Sequence, residues 1–271
     1  MQTILWDCHM HSFYSADSST PMEEMIQKSI SLGLDGICFT EHTDPDYPDT
    51  PEKLDFSLDE TAYYNGLLEL QAKYRDQIEV RFGIELGLQP HLAADFDALL
   101  KRFPFDFVIG SSHLVHGYDP YYPEYFLERE ESSAYREYFE SILENLNTCQ
   151  NMDVYGHLDY IVRYGPNQNK YYSYTKYSEI FDEILRTLIR KQIGLELNTG
   201  GFHYGLGEPN PCRDIIKRYR ELGGELITVG ADAHTPDKIA YSFPKAYSIL
   251  KECGFSYYTV FKNRTPEFIK L

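Results

Sequence analysis

The chain has 271 residues, a formal net charge of -17 and an isoelectric point near 4.9. Such an acidic chain opposes sequence-independent binding to nucleic acid, which needs clustered Lys and Arg. A hydrophobic content of 42% suits a globular protein, and one α/β barrel commonly takes about 250 residues, so we predict a single domain over residues 1–271.

Targeting signals and disulfide patterns are not apparent in the sequence. The first residues lack the basic segment and long apolar run of a signal peptide. No apolar run approaches the roughly 20 residues that a membrane-spanning helix needs. The five cysteines are scattered without a C-x-x-C pair, which is typical of reduced thiols. We therefore expect a cytoplasmic protein with no membrane or nucleic-acid partner, whose oligomeric state stays open.

Strand and helix patterns alternate along the chain. We predict strands at 3–6, 36–40, 79–86, 105–110, 153–156, 193–197 and 225–230. Helices are predicted at 21–32, 57–74, 92–101, 133–146, 176–191, 211–222 and 244–253, followed by a strand-like run at 256–260. Thr20 with Pro21 suits a helix start, and Ser57 with Glu60 matches a capping box. Residues 43–56 contain too many Asp and Pro for either element.

Side chains that commonly bind metals follow the ends of most predicted strands. They are His9, His11, His42, Glu85, His113, His157, Asp232 and His234. Strands alternating with helices predict an α/β fold with a parallel sheet, which could be an open doubly wound sheet or a barrel. In a barrel the carboxyl ends of the strands converge on one mouth. We therefore predict a (β/α)7 TIM-like barrel with a metal site at that mouth.

The motif His9-x-His11 brings two imidazoles together, because residues i and i+2 of an extended chain point to the same side. Cys8, between them, should point away. The full set of ligands is too large for one zinc, which takes about four. Nitrogen and carboxylate ligands suit Zn, Fe or Mn, and a carboxylate such as Glu85 can bridge two ions.

These residues, with Glu41-His42, Ser111-Ser112-His113 and Gly156-His157-Leu158-Asp159, resemble the successive motifs of the PHP family, named for polymerase and histidinol phosphatase. The resemblance runs from residue 7 to 234. Arg163 and the segment 196–201 make the chain most similar to the monofunctional members that hydrolyse L-histidinol phosphate. The resemblance implies a distorted (β/α)7 barrel, the PHP fold, and a trinuclear site. We accordingly expect two to three divalent ions of Zn, Fe or Mn.

The resemblance also implies a set of ligands for each ion. The first ion would take His9, His11, Glu85 and Asp232, the second Glu85, His113 and His157, and the third Asp17, His42 and His234. Asp17 stands where many members of the family have histidine. Aspartate is a competent ligand, but it changes the charge of the third site.

The implied reaction is hydrolysis of a phosphate monoester by a metal-bridging hydroxide. Arg163 lies six residues beyond His157, so it should overhang the mouth, where its planar fork of donors matches a phosphate. Asp232, His234 and Arg163 are the candidate catalytic residues, and Asp232 or His116 could protonate the leaving group. The candidate substrate-binding residues are Arg163, Glu41, Asp44, His116 and His203, with Glu41 and Asp44 placed to receive the substrate ammonium.

Two other functions remain open on the sequence. The PHP family also includes protein-tyrosine phosphatases and DNA exonucleases; the negative charge argues against DNA but does not decide against phosphotyrosine. An alternative of a different class is a metal-bound regulatory module without turnover. Such modules usually lose metal ligands, whereas this chain keeps nearly all of them.

Overall fold

The computed structural model describes residues 4–50 and 53–271. Seven parallel strands pair in chain order: β1 (Trp6–Met10), β2 (Gly36–Thr43), β3 (Glu79–Gly87), β4 (Phe107–Ser111), β5 (Val154–Tyr155), β6 (Gly194–Asn198) and β7 (Ile227–Gly230). Each predicted strand has a counterpart. The first begins later than predicted, at Trp6, and residue 3 lies outside the described residues. Thr43 belongs to β2, contrary to the prediction for 43–56, whereas residues 44–50 and 53–56 form neither helix nor strand, as predicted.

The sheet curves until its first and last strands meet. Met10 forms a parallel bridge with Ala233. The His11 amide donates to the Ala233 carbonyl at 2.9 Å, and the Asp232 amide donates to the His9 carbonyl at 2.8 Å. The predicted (β/α)7 barrel is therefore confirmed. It is distorted, because β5 has only two residues and the pairing of β1 with β2 contains a shift in register.

Helices surround the barrel. They are α1 (Met22–Ser31), α2 (Glu60–Tyr74), α3 (Ala93–Arg102), α4 (Glu131–Thr148), α5 (Ser178–Lys191), α6 (Gly200–His203), α7 (Arg213–Glu221) and α8 (Phe243–Glu252). Short 3-10 turns occupy Pro90–Leu92, Pro123–Phe126, Tyr160–Arg163, Gln168–Tyr171, Tyr174–Tyr177 and Pro236–Lys238. None of the helices in the described ranges has the length and apolarity needed to cross a bilayer.

Two predicted helix starts were wrong in detail. Pro21 is the N-cap of α1, which begins at Met22, so Thr20 lies outside the helix. Helix α2 begins at Glu60, and the Asp59 carboxylate accepts a hydrogen bond from the Ala62 amide at 2.9 Å. A short carboxylate directly before the first turn satisfies a free helical N–H, and here it takes the place of the expected capping box.

The strands are buried on both faces, as expected when helices cover the outside of a barrel and side chains fill its interior. Tyr63 of α2 illustrates the packing between the two layers: it is fully buried, and its hydroxyl donates to the carbonyls of Phe39 and Gly83 at 3.0 and 2.9 Å. Cys8 belongs to this apolar core, and all five cysteines carry free thiols.

An antiparallel hairpin, β8 (Tyr257–Lys262) with β9 (Thr265–Lys270), follows the barrel. Only its first strand was predicted. Arg81 of β3 donates to the Phe261 carbonyl and to the Glu267 carboxylate, both at 2.7 Å, and the Arg264 amide donates to the Asp106 carbonyl at 2.9 Å. Because Arg81 lies near the start of β3 and Asp106 just before β4, the hairpin packs at the amino end of the barrel and leaves the carboxyl end accessible.

Candidate active site

The side chains predicted at strand ends converge at the carboxyl end of the barrel. His9 lies in β1, His42 in β2 and Glu85 in β3, while His11, His113, His157, Asp232 and His234 follow β1, β4, β5 and β7. The six residues His9, His11, His42, Glu85, His113 and His157 are buried. Four overlapping groups of three among this set bring one ligand atom each within 4.8 Å of one another.

Glu85 lies at the centre of the set. Its Oε2 atom is 3.1 Å from His9 Nε2, 3.3 Å from His42 Nδ1 and 3.5 Å from His11 Nε2. Its Oε1 atom is 3.3 Å from His113 Nε2 and 3.0 Å from His157 Nε2. The two oxygens of one carboxylate therefore face two separate groups of imidazoles, three at Oε2 and two at Oε1, which is the arrangement expected of a carboxylate that bridges two ions.

Asp232 lies beside His9 and His11. Its Oδ1 atom is 3.4 Å from His11 Nε2 and 3.6 Å from His9 Nε2. The backbone of Asp232 has a φ of 57°, in the left-handed region that asparagine and aspartate enter more readily than most residues. Its amide donates to the His9 carbonyl, so the seam between β1 and β7 fixes Asp232 beside both histidines.

Asp17 lies in the loop after β1, beside His234 and His42. Its Oδ2 atom is 3.0 Å from His234 Nε2 and 3.7 Å from His42 Nε2. The rings of His42 and His234 both stack against His11, with centroid distances of 4.2 and 4.3 Å, and lie 5.8 Å from each other. The side chains of Asp17 and His234 are 32% and 27% exposed, so this part of the site is more open to solvent than the residues around Glu85.

Charge and burial determine the protonation states of Glu85 and His11. Burial raises the pKa of Glu85, but the neighbouring His9, His42 and His113 bring it well below its usual value. Burial lowers the pKa of His11, and the charges of His42 and His234 lower it further. Glu85 is therefore ionised and His11 neutral, which are the forms that bind metal ions.

The residues fit metal ions on the chemistry of their facing atoms. His9 Nδ1 lies 2.6 Å from Glu196 and His113 Nδ1 lies 2.8 Å from Asp44, so the Nε2 atom of each ring, which faces a Glu85 oxygen, is the nitrogen available to a metal ion. A carboxylate at the second ring nitrogen is the usual partner of a metal-binding histidine. The buried Nδ1 atom of His42 also has no hydrogen-bond partner within the described part of the chain.

Glu196 of β6 is a site residue to which the sequence assigned no role. Besides His9, it accepts hydrogen bonds from the His157 amide at 2.8 Å and the Asn198 side chain at 3.1 Å. Gly230 of β7 makes room for this pair, because a Cβ atom there would lie 2.3 Å from His9 Cβ and 2.6 Å from Glu196 Oε1. Glu196 therefore orients the His9 ring and the backbone of His157.

The two acidic residues predicted to receive the substrate ammonium lie in different places. Glu41 is fully buried, and its carboxylate accepts hydrogen bonds from the Ser12 and Ser15 hydroxyls, away from the cavity. Ser15 Oγ lies 3.2 Å from His11 Nδ1, so Glu41 supports that imidazole indirectly. Asp44 orients His113 and also lines the cavity above the site.

Arg163 ends the 3-10 turn Tyr160–Arg163 and is buried in the cavity wall instead of overhanging the mouth. Its Nη1 atom donates to Asp232 Oδ2, its Nη2 atom to Asn198 Oδ1 and its Nε atom to Asn210 Oδ1, each at 2.9 Å. A guanidinium has five N–H groups, and these contacts account for three of them. Asp232 thus presents one oxygen to the histidines and the other to Arg163.

The two remaining predicted residues, His203 and His116, lie in different places. His203 of α6 lines the cavity, with its ring near those of Tyr204 and Tyr241. His116 has a side chain that is 55% exposed, and its ring nitrogens lie 3.2 and 3.3 Å from Glu137 and Glu144 of α4. The structure therefore places His203 at the site and His116 on the surface outside it.

The cavity above the site has a volume of about 310 Å3. Aromatic side chains make up much of its wall, namely Tyr47, Phe56, Tyr160, Tyr164, Tyr204 and Tyr241. Asp119 and Lys238 also line it, and neither was identified from the sequence. A cavity of this size, with ionised groups and aromatic rings around a polar floor, suits a small charged molecule.

Comparisons with known proteins agree with this geometry. A histidinol-phosphatase from Lactococcus lactis is 35% identical over 250 residues, covering 92% of this chain and 91% of that protein. The crystal structure of histidinol phosphate phosphatase from Lactococcus lactis, complexed with zinc, L-histidinol and phosphate, matches with a TM-score of 0.90 at 34% identity. It covers 97% of this chain and 98% of that one.

Two further matches concern the fold and the family. A solved structure from Listeria monocytogenes has a TM-score of 0.78 and covers 89% of this chain and 99% of that one; at 18% identity it supports the fold alone. The PHP domain family matches residues 7–200, well over half of the chain. Together with the barrel and the ring of imidazoles and carboxylates at its mouth, these matches show that the chain belongs to the PHP family.

Proposed function

We propose that this chain hydrolyses L-histidinol phosphate to L-histidinol and inorganic phosphate as a metal-dependent phosphomonoesterase. The observation that carries the proposal is the arrangement around Glu85, whose two oxygens face separate groups of histidines at the floor of a cavity. Similarity over nearly the whole chain to the Lactococcus lactis protein, whose crystal structure contains zinc, L-histidinol and phosphate, supports the same reaction.

The proposed ligands are the three sets implied by the family resemblance, drawn from the four overlapping groups of facing atoms and Asp17. One ion would be held by His9, His11, Glu85 and Asp232, a second by Glu85, His113 and His157, and a third by Asp17, His42 and His234. Bound divalent ions would lower the pKa of a water molecule and neutralise charge on the phosphate. We keep His234 among the catalytic residues as a ligand, because its Nε2 atom meets Asp17 at the cavity wall.

Asp232 and Arg163 would act as a pair. Burial raises the pKa of Asp232, but His9, His11 and Arg163 bring it well below its usual value. Asp232 is therefore ionised, which suits it to accept a proton from the attacking water and not to donate one to the leaving alkoxide. Arg163 holds the second Asp232 oxygen, and its remaining N–H groups can bind a phosphate oxygen at the cavity wall.

The structure narrows the candidates for substrate binding. Arg163, Asp44 and His203 line the cavity and stay in the proposal. Glu41 supports His11 through Ser15, and His116 lies on the surface, so we assign neither a contact with substrate. For the same reason His116 is no longer a candidate for the proton donor.

The test is release of phosphate from three substrates side by side, namely L-histidinol phosphate, a phosphotyrosine peptide and single-stranded DNA, with added Zn or Mn. We expect turnover of L-histidinol phosphate to exceed that of the other two by orders of magnitude. A preference for the phosphotyrosine peptide would overturn the proposal. A protein with full metal content that releases phosphate from none of the three would instead be a non-catalytic module.

We further propose that the enzyme works as a single domain of residues 1–271 in the cytoplasm, on a free small-molecule ester, without nucleic acid or a membrane. Cell fractionation followed by activity measurement tests the location. Activity that sediments with membranes, or that requires added nucleic acid, would contradict this part of the proposal.

A further inference from the structure

Two side-chain amides hold the edge of the Arg163 guanidinium. Asn210 Oδ1 accepts from Nε and Asn198 Oδ1 accepts from Nη2, while the Asp232 carboxylate accepts from Nη1. Asn198 and Asn210 are fully buried and lie side by side, because their backbones form an antiparallel bridge. A guanidinium has five N–H groups, so within the described part of the chain each terminal nitrogen of Arg163 keeps one for a ligand. The two amides therefore determine where these remaining N–H groups point.

Asp159 fixes the orientation of the Asn210 amide. Asn210 Nδ2 donates to Asp159 Oδ1 at 2.6 Å, at the opposite end of the amide from Arg163. If the amide were flipped, its oxygen would face a carboxylate oxygen and its NH2 group would face the Arg163 N–H, so both contacts would be repulsive. Asp159 therefore decides which atom of Asn210 faces the guanidinium.

Asp159 is itself firmly held behind the cavity wall. It is 1% exposed, and its Oδ2 atom accepts from the Tyr172 hydroxyl and the Cys212 amide, both at 2.9 Å. Its carbonyl accepts from the Val162 amide at 3.0 Å, at the start of the 3-10 turn that ends in Arg163. Among the described residues, Asp159 is not one that lines the cavity. It can therefore act on a substrate only through other side chains.

We infer that Asp159 is a positioning residue, which aims the Arg163 guanidinium at the phosphate through the Asn210 amide. The inference rests on the proposed function and assigns a role to a carboxylate that lies out of reach of the substrate. A guanidinium fork binds two phosphate oxygens only in a narrow range of orientations. Losing one of the contacts that hold it should weaken phosphate binding and slow turnover, although the arginine itself is still present.

A double-mutant cycle of Asp159→Asn with Arg163→Met tests the inference. An asparagine side chain cannot accept hydrogen bonds at both of its ends, so either Asn210 or the Cys212 amide would face a second donor. We expect kcat/KM for L-histidinol phosphate to fall about tenfold in Asp159→Asn, as for one lost hydrogen bond to a charged group, with metal content unchanged. In the Arg163→Met background the same substitution should change kcat/KM by less than about twofold, because the group that Asp159 positions is gone.

Asp153→Asn is the matched control. Asp153 is also a buried aspartate next to β5, but it lies at the amino end of that strand, where it accepts from Arg264 at 2.6 Å and from the Val108 amide at 2.8 Å. Because it is remote from the guanidinium, its substitution should leave kcat/KM within about twofold of the wild-type value.

The exchanged pair Asp159→Asn/Asn210→Asp adds a rescue. It again places a donor opposite an acceptor at every contact between Asp159, Asn210 and Arg163, so most of the lost kcat/KM should return. This variant also serves if Asp159→Asn alone does not fold. A folded, metal-loaded exchanged protein that is no more active than Arg163→Met would contradict transmission through Asn210.

Equal losses in the wild-type and Arg163→Met backgrounds would overturn the inference, because Asp159 would then support the fold and not the guanidinium. So would an unchanged kcat/KM in folded, metal-loaded Asp159→Asn. Calorimetric titration with inorganic phosphate measures the same cycle without turnover, and the Kd should rise about tenfold only where Arg163 is present. Failure of the wild-type protein to hydrolyse L-histidinol phosphate would therefore count against the proposed function alone.

Discussion

Replacing Arg163 with methionine tests whether the guanidinium fork acts on the phosphate. Methionine fills a similar volume but removes the hydrogen bonds to Asp232, Asn198 and Asn210. If Arg163 also contacts the transferring group, the variant loses a charge-assisted hydrogen bond of about 1.5–3 kcal/mol, or one to two orders of magnitude in rate constant. We therefore expect kcat/KM for L-histidinol phosphate to fall at least tenfold with metal content unchanged.

The same substitution should also destabilise the metal-free protein. The Arg163 side chain is 2% exposed and that of Asp232 is 9% exposed, so this is a buried ion pair. Removing one partner of such a pair typically costs about 3–5 kcal/mol. Urea unfolding of the chelated protein measures this loss separately from the kinetics.

Arg81→Met is the matched control. Arg81 is equally buried, with a side chain that is 5% exposed, and it binds the Phe261 carbonyl and Glu267 at the opposite end of the barrel. It should lower the free energy of unfolding but leave kcat/KM within about threefold. Arg163→Lys should recover part of the lost activity, because lysine supplies the charge without the fork. An unchanged kcat/KM in folded, metal-loaded Arg163→Met would refute the role of the fork and leave the phosphate to the metal ions.

Three further predictions follow from the structure. Glu85→Ala should abolish activity and lower the metal content, because both of its oxygens face histidines; full metal content with near-normal turnover would exclude a bridging role. Asp17→Asn should remove metal from one site and reduce turnover, which elemental analysis beside kinetics can measure, whereas a solvated loop residue would show neither change. Burial raises the pKa of Asp153 to about 6 from the ordinary 3.8, although Arg264 opposes the shift. The folded state then binds the extra proton, so this contribution to stability is complete below about pH 4 and is lost as the pH rises through 6. Relative to Asp153→Asn, the wild-type free energy of unfolding should fall by about 3 kcal/mol over that range, and parallel pH profiles would contradict it.

The sequence predicted the site where a regular rule applied. Residues at the carboxyl ends of parallel strands must meet in a barrel, so His42, Glu85 and His157 could be placed together without coordinates. Glu196 and Asn198 at the end of β6 obey the same rule, and the alternation of strand residues would have assigned them to the site as well. In the sequence they served only as part of the segment 196–201 that carries the family resemblance, and neither was given a role in the site.

Loops were the part that the sequence could not place. Glu41 and His116 both lie beyond the ends of predicted strands, yet Glu41 belongs to β2 and is buried, whereas His116 lies in a loop and is exposed beside α4. The path of an irregular loop depends on tertiary hydrogen bonds, such as that between Tyr47 and Asp119, which join residues far apart in the chain. Such contacts leave no periodic pattern in the sequence. For the same reason the position of Asp119 in the cavity wall and the burial of Arg163 could not be predicted.

Because the metal site lies across the seam between β1 and β7, bound ions would also stabilise the closed barrel. Few backbone hydrogen bonds cross this seam, among them His11 to Ala233 and Asp232 to His9. A cation held by His9, His11 and Asp232 would join the two ends of the chain across it, as a cross-link that encloses nearly the whole barrel. Cross-links that close long loops restrict the unfolded chain strongly, and ligands that bind only the folded state stabilise it by mass action. Removing the ions should therefore open the barrel first along this seam, where hydrogen exchange at the His11 and Asp232 amides would report it.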